Sequence, residues 1–194
     1  MKSVLGTLRV LPLALAAILP LACLAGPETE SFGPAQAIAD ELRSAAGTDI
    51  AWIAAGVLKE DATGDLTTFL TYPTDELVVV KLSGKQVKQA LERSVALYPT
   101  PNPGFLQVSG LEITFSKSAD SERRIRTVLV NGLDLDEKSQ YSVAMPGNLA
   151  RGGLGYFQVW EKTAIERTLP GVTLESALKG KSGFVRTARW KIVP

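Results

Sequence analysis

The chain has 194 residues, with 21 basic and 20 acidic side chains, one cysteine and no histidine. Without imidazole, Ser-His-Asp and Cys-His sites, zinc centres on histidines and dinuclear phosphoesterase centres are excluded, because each normally needs that ring as base or ligand. Near-neutral charge argues against a nucleic-acid binder, and a lone cysteine cannot form an internal disulfide.

At the N-terminus, Lys2 and Arg9 precede an apolar run over residues 10–25 that is interrupted by Pro12 and Pro20, and the acidic stretch Pro27-Glu28-Thr29-Glu30 follows. This is the pattern of a secretory signal peptide. A membrane span would want about 20 uninterrupted apolar residues. Cleavage is expected after Ala25, which gives a signal peptide over 1–25, a mature domain over 26–194, and export to a periplasmic or extracellular location. A second route stays open: Leu21-Ala22-Cys23 resembles the end of a bacterial lipobox, in which Cys23 would carry lipid and tie the protein to a membrane. Pro20 stands where such a box usually has leucine. Loss of Lys2 and Arg9 with the signal leaves 19 basic side chains against 20 acidic ones. The remaining length, about 169 residues, suits one domain with a real core.

Residues 34–46 place Ala35, Ile38, Ala39 and Leu42 at helical spacing, and Gly47 supplies a stop. Residues 49–55 and 77–82 are nearly continuous apolar runs, as strands buried on both faces would be. Between 84 and 98, the stripe Val87, Ala90, Leu91, Ser94, Val95 and Tyr98 predicts an amphipathic helix. The run Tyr98-Pro-Thr-Pro-Asn-Pro-Gly104 is a loop. Strands are predicted over 105–108, 111–116, 125–130 and 141–145, with turn signals at Ser109-Gly110 and Asn131-Gly132. Arg123, Arg124 and Arg126 alternate with Ile125 and Val128 and read as a solvated strand face. A short helix over 172–178 and a closing strand over 188–193 complete a single domain of mixed α and β class, with mixed sheet layers packed with helices. Trp52, Trp160 and Trp190 fall on strand-like segments and are expected in the core.

Six blocks in this order carry a resemblance: Asp49-Ile-Ala-Trp-Ile-Ala-Ala-Gly56, Leu77-Val-Val-Val-Lys-Leu-Ser-Gly84, Phe105-Leu-Gln-Val-Ser-Gly-Leu111, Val130-Asn-Gly-Leu-Asp-Leu135, Tyr141-Ser-Val-Ala-Met145 and Leu149-Ala-Arg-Gly-Gly-Leu-Gly-Tyr156. The chain resembles the C-terminal domain of the 5′-nucleotidase and UDP-sugar hydrolase family, from about Gly33 to Val193. The resemblance implies nucleotide catabolism as the family setting. In family members this domain binds the nucleoside, and a preceding metallophosphoesterase domain holds two metal ions and performs hydrolysis. Here the expected signal peptide runs almost directly into the binding domain, so a two-metal site, with cations about 3.5–4 Å apart, is not expected within this sequence. No catalytic residue, metal or cofactor is assigned.

The resemblance also locates a candidate ligand site. Family domains clamp the base between two aromatic rings, each base stack contributing about 1–3 kcal/mol. The first ring belongs to a Pro-Phe element before residues 77–82, where this chain has Tyr72-Pro73, leaving Tyr72 one residue out of register. The place of the second ring is taken by Asn148, and the family's aspartate in Leu-Ala-x-Gly-Gly-Asp-Gly by Leu154. The Asn-Gly-Gly-Gly-Ile-Arg loop has become Ala54-Ala-Gly-Val-Leu-Lys59, in which Lys59 keeps the charge without the planar fork of arginine. Lys59, Tyr72, Asn148 and Arg151 are the residues expected to line the altered pocket, around a nucleotide-like or other small polar ligand.

Other patterns carry less. Gly152, Gly153 and Gly155 have neither a Walker lysine-serine pair nor Rossmann spacing and are read as backbone devices. Ser176-Ala-Leu-Lys179 matches Ser-x-x-Lys without its companion motifs. Asp134, Asp136 and Glu137, and likewise Asp61, Thr63 and Asp65, lack calcium-loop spacing. Three readings remain: an exported non-catalytic binding or interaction domain, a substrate-recognition subunit that works in trans with a separate metallophosphoesterase chain, and a structural envelope lipoprotein.

Overall fold

The computed structural model describes residues 26–120 and 123–194. The expected signal peptide, Cys23 included, lies outside the described residues. Among those residues no helix is long and apolar enough to cross a membrane.

The chain order is α1 (Gly33–Ala46), β1 (Ile50–Ala54), β2 (Glu76–Ser83), α2 (Gly84–Val95), β3 (Leu106–Ser109), β4 (Leu111–Ser116), β5 (Ile125–Val130), β6 (Leu133–Asp134), β7 (Gln140–Pro146), α3 (Gly147–Ala150), β8 (Ile165–Thr173), α4 (Leu174–Leu178) and β9 (Trp190–Val193). A five-stranded sheet runs β3-β1-β7-β2-β8 and a four-stranded sheet runs β6-β5-β4-β9. Both sheets are mixed: β1 and β7 are parallel, as are β4 and β9, and the other pairs are antiparallel.

The larger sheet is the middle layer, and alternation along its strands feeds two cores. Ala51, Ile53, Leu77, Val79 and Ala144 face α1 and α4. Ile50, Trp52, Val78, Val80 and Val143 face the other way, onto Val87, Leu91 and Val95 of α2 and onto Ile113, Phe115 and Trp190 of the smaller sheet. That is why β1 and β2 read as unbroken apolar runs: both faces of the sheet are covered.

The helix limits follow local chemistry. α1 has Pro34 in its first turn and ends where Gly47, at φ 63°, donates to the carbonyl of Arg43. α2 opens with a reciprocal cap: the Gln86 N–H donates to the Ser83 hydroxyl, and the Ser83 N–H donates to the Gln86 side chain. It closes at Val95, three residues short of the periodic stripe, because residues 96–99 are turns.

Three expectations are corrected. Ser109-Gly110 does not turn a hairpin; Gly110, at φ 77°, passes the chain from one sheet to the other. Asn131-Gly132, both at positive φ, does turn β5 into β6. Strand β8 went unpredicted, since an edge strand with an exposed face and Pro170 inside it shows no apolar period. Finally, the arginine run is not uniformly solvated. Arg123 and Arg126 are exposed, but Arg124 is half-buried. Its N–H and that of Ile125 donate to the Glu92 carboxylate on α2.

Candidate functional site

Parallel strands β1 and β7 finish side by side where antiparallel β2 begins, so Ala54, Pro146 and Glu76 lie at the same end of the inner strands of the large sheet. Loops leaving strand ends carry side chains that the sheet holds in place but does not bury, the usual position for a ligand site in an open sheet. After β1 the chain makes a single turn over Ala55–Val57. It then returns through a bridge between Leu58 and Leu70. After β7, α3 leads directly into the loop over Gly152–Phe157.

Of the four residues singled out in the sequence, the fold brings two together. Tyr72, 60% exposed, and Asn148 both line a small cavity with Val57, Leu70, Asp75, Pro146 and Leu174. A second cavity beside it is lined by Ala54, Val57, Pro146, Asn148, Leu149 and Leu154. Lys59 is exposed beyond the Leu58–Leu70 bridge and lines neither; its N–H donates to the carbonyl of Phe69. Arg151 turns to the start of β2, where it pairs with Glu76 and lies 3.8 Å from Asp75.

Asp75 organises this corner, and sequence reasoning missed it. Its carboxylate accepts the N–H of Asn148 at 3.1 Å and of Glu76 at 2.9 Å, and its carbonyl accepts the N–H of Leu174. Position 75, three residues past Tyr72 in a turn rich in polar residues, was the available signal. The pairing with Arg151 across 76 positions of sequence was not.

Leu154 is held at φ 55°, ψ 26°. A left-handed conformation costs a side chain with a Cβ roughly 1–2 kcal/mol, so the surrounding loop imposes it. Gly152 and Gly155 on either side are also left-handed, at φ 87° and 80°. A Cβ on Gly152 would meet Phe157 backbone at 2.8 Å, and one on Gly153 would meet the carbonyl of Asn148 at 2.8 Å. Tyr156 anchors the loop from beneath, stacked on Trp160 at 4.9 Å and donating to the carbonyl of Gly104 at 2.7 Å. Burial pushes its phenol up, well above the ordinary tyrosine range, so it remains a neutral donor.

Each cavity measures about 10 Å³. That is room for about one water molecule, not for a purine ring. The lining is mostly aliphatic, and among the described residues no group of three metal-ligating side chains is gathered. The corner can position a small polar group against Asn148 and Asp75 and offer Tyr72 as a flat face from outside.

The sequence matches the model of the 5′-nucleotidase C-terminal domain over residues 24–162. The chain belongs to that family. The crystal structure of a 5′-nucleotidase precursor from Thermus thermophilus superposes with a TM-score of 0.73 at 26% identity, over 86% of this chain and 36% of that one. Haemophilus influenzae NAD nucleotidase shares the fold, with a TM-score of 0.63 at 19% identity over 81% of this chain and 32% of that one. In Bacillus subtilis the trifunctional nucleotide phosphoesterase YfkN is 32% identical over 125 residues, which is 59% of this chain and 8% of that protein. The chain thus spans a small part of the curated relative and about a third of the solved ones. Within the 5′-nucleotidase C-terminal fold, Ala54, Tyr72, Asn148 and Leu154 all fall at the corner where β1 and β7 end.

Proposed function

We propose that this domain is an exported, non-catalytic recognition or interaction module built on the 5′-nucleotidase C-terminal scaffold, with a ligand preference shifted away from nucleosides. The carrying observation is the corner itself: Arg151 is engaged by Glu76 and Asp75, and the cavities left are about 10 Å³; on the resemblance, Asn148 and Leu154 stand in the places of a stacking ring and an aspartate. A nucleobase there would find one exposed ring and few free polar groups. The histidine-free composition of these 194 residues supports placing any metal-dependent hydrolysis elsewhere.

Tyr72 favours a second reading, because an aromatic ring 60% exposed at the corner, one residue from the place where the resemblance puts a stacking ring, is suited to stack a base. On that reading the domain recognises nucleotides for a metallophosphoesterase in a separate chain. Calorimetry with adenosine and AMP separates the two. The first expects no heat of binding up to about 1 mM, a ceiling of roughly −4 kcal/mol; the second expects micromolar binding that Tyr72→Ala weakens. Phosphate release from AMP by the homogeneous protein with divalent metal would overturn the non-catalytic reading. Cell fractionation of Cys23→Ser tests the remaining route, since only a lipid-bearing Cys23 would make membrane retention depend on that residue.

A further inference from the structure

On the opposite side of the loop over Gly152–Phe157 lies a much larger feature, an open cleft of about 610 Å³ between the outer stripe of α2 and two loops. Its walls carry Lys85, Lys88, Glu92 and Arg93 from α2, Glu137 from the turn before β7, and Gln158. The volume falls within the roughly 300–1,000 Å³ of small-molecule sites. Neither the family resemblance nor the corner site accounts for it.

The charges in this cleft do not cancel locally. Lys88 and Glu137 pair at 2.7 Å. Glu92 is committed to the N–H groups of Arg124 and Ile125, at 2.9 and 3.0 Å, which stabilise its carboxylate and hold both oxygens toward β5 rather than toward Lys85 or Arg93. Lys85, exposed at the first turn, forms no ion pair among the described residues. Nor does Arg93, two turns further along the same face. Its side-chain hydrogen bonds go to neutral oxygens, the Gln158 side chain at 3.1 Å and the Leu154 carbonyl at 3.0 Å. Its Nε is buried without a partner.

Arg93 is also held in place rather than trailing in solvent. Its guanidinium lies 5.5 Å from the centroid of the Tyr156 ring. It sits so close to Gly155 that a Cβ there would come within 1.9 Å of Nη2. A planar cation fixed against an aromatic ring, with N–H groups to spare and no counter-ion, suits the geometry of a carboxylate or phosphate. Gln89 and Gln158 add neutral amides, and Ala96 and Val159 an apolar floor.

We propose that this cleft binds a small carboxylate- or phosphate-bearing anion between Arg93 and Lys85. The site is separate from the corner at Tyr72 and Asn148, although Leu154 lines the corner and gives its carbonyl to Arg93. The proposal therefore stands or falls independently of nucleoside binding.

The test is an amide NMR titration of the intact protein with citrate and, separately, inorganic phosphate, at ionic strength held constant with chloride because screening alone moves exposed charges. Shifts are expected at the amides of residues 85–96 and 158–159, saturating in the millimolar range or below. Citrate responding alone assigns carboxylate, and phosphate alone assigns phosphate. Lys85→Gln, at an exposed position that leaves the core intact, is expected to weaken the response about tenfold, one decade in Kd, and Arg93→Lys to weaken it further by removing the fork. Shifts absent with both anions at about 20 mM, far above a functional Kd, overturn the proposal. So do shifts that Lys85→Gln and Lys85→Glu leave unchanged.

Discussion

Gly47 and Gly110 both adopt positive φ, at 63° and 77°, yet their surroundings differ. A Cβ on Gly47 meets nothing within 4 Å, whereas one on Gly110 would stand 2.2 Å from the carbonyl oxygen of Asp49. Gly47→Ala is expected to cost only the left-handed penalty, about 1 kcal/mol. Gly110→Ala adds a backbone collision at the point where the chain changes sheets, and a loss of about 3 kcal/mol or more is expected in denaturant unfolding. Asp65 offers a pH-dependent counterpart. The Thr67 hydroxyl first, and then the Gly180 N–H, hold its carboxyl below the ordinary aspartate value of 3.8. A carboxyl lowered by folding stabilises the native state above its unfolded value, and that contribution vanishes as pH falls through the lower folded value. The stability curves of wild type and Asp65→Asn should accordingly differ at neutral pH and converge below about pH 4. A gap that persists at low pH would show that Asp65 acts through something other than its charge.

Among the elements, α1 and β9 are far apart in sequence but are joined by Arg189. Its guanidinium grips both oxygens of Asp40 at 2.8 and 2.7 Å and donates to the carbonyls of Gln36 and Val108. Asp40 in turn accepts the Ser109 hydroxyl at 2.6 Å. One pair therefore ties a helix, the last residue of β3 and the approach to β9. Asp40→Ala leaves Arg189, whose side chain is 18% exposed, without its anion. A destabilisation of about 1–3 kcal/mol is expected by chemical denaturation, since hydrogen bonds to charged groups contribute on that scale. Arg189→Met, which removes the charge along with its partner's purpose, should cost less in an Asp40→Ala background than alone. The Arg93 contacts to residues 154–158 show the same principle on the other face: a long cation ties a short, irregular helical turn to α2.

Across the whole molecule, the smaller sheet shares its core with the larger one. Trp190 is the clearest joint: its backbone pairs with β4 at Ile113, its ring meets Phe105 and Phe115 at 4.9 and 5.9 Å, and its indole N–H donates to the carbonyl of Leu106 in the other sheet. With both sheets contributing to one apolar cluster, unfolding should be a single cooperative transition, seen alike by tryptophan fluorescence and far-ultraviolet circular dichroism. Trp190→Ala removes a ring that is 3% exposed and is expected to cost about 3–5 kcal/mol. Two separated transitions in the wild type would mean that the sheets fold as independent units.

The sequence alone was enough for α1, α2 and the central strands, because covered faces force apolar residues into periods of 3.6 and 2 that need no knowledge of partners. It was also enough for the family, carried by six ordered blocks. Edge strand β8 left no such trace, since one open face places no demand on composition. The residues of the candidate corner could be named from the sequence, but their relationships could not. That Tyr72 and Asn148 share a cavity, that Arg151 is drawn away by Glu76 and Asp75, and that Lys59 stands outside are outcomes of where parallel β1 and β7 happen to end. The cleft at Arg93 belongs to the same class. Its walls come from α2, from the turn before β7 and from the loop after α3, segments that only the packing of two sheets on one helix brings together. Periodicity reports what each segment buries, whereas a site depends on which exposed side chains converge, and convergence is decided by chain crossings that no local pattern records.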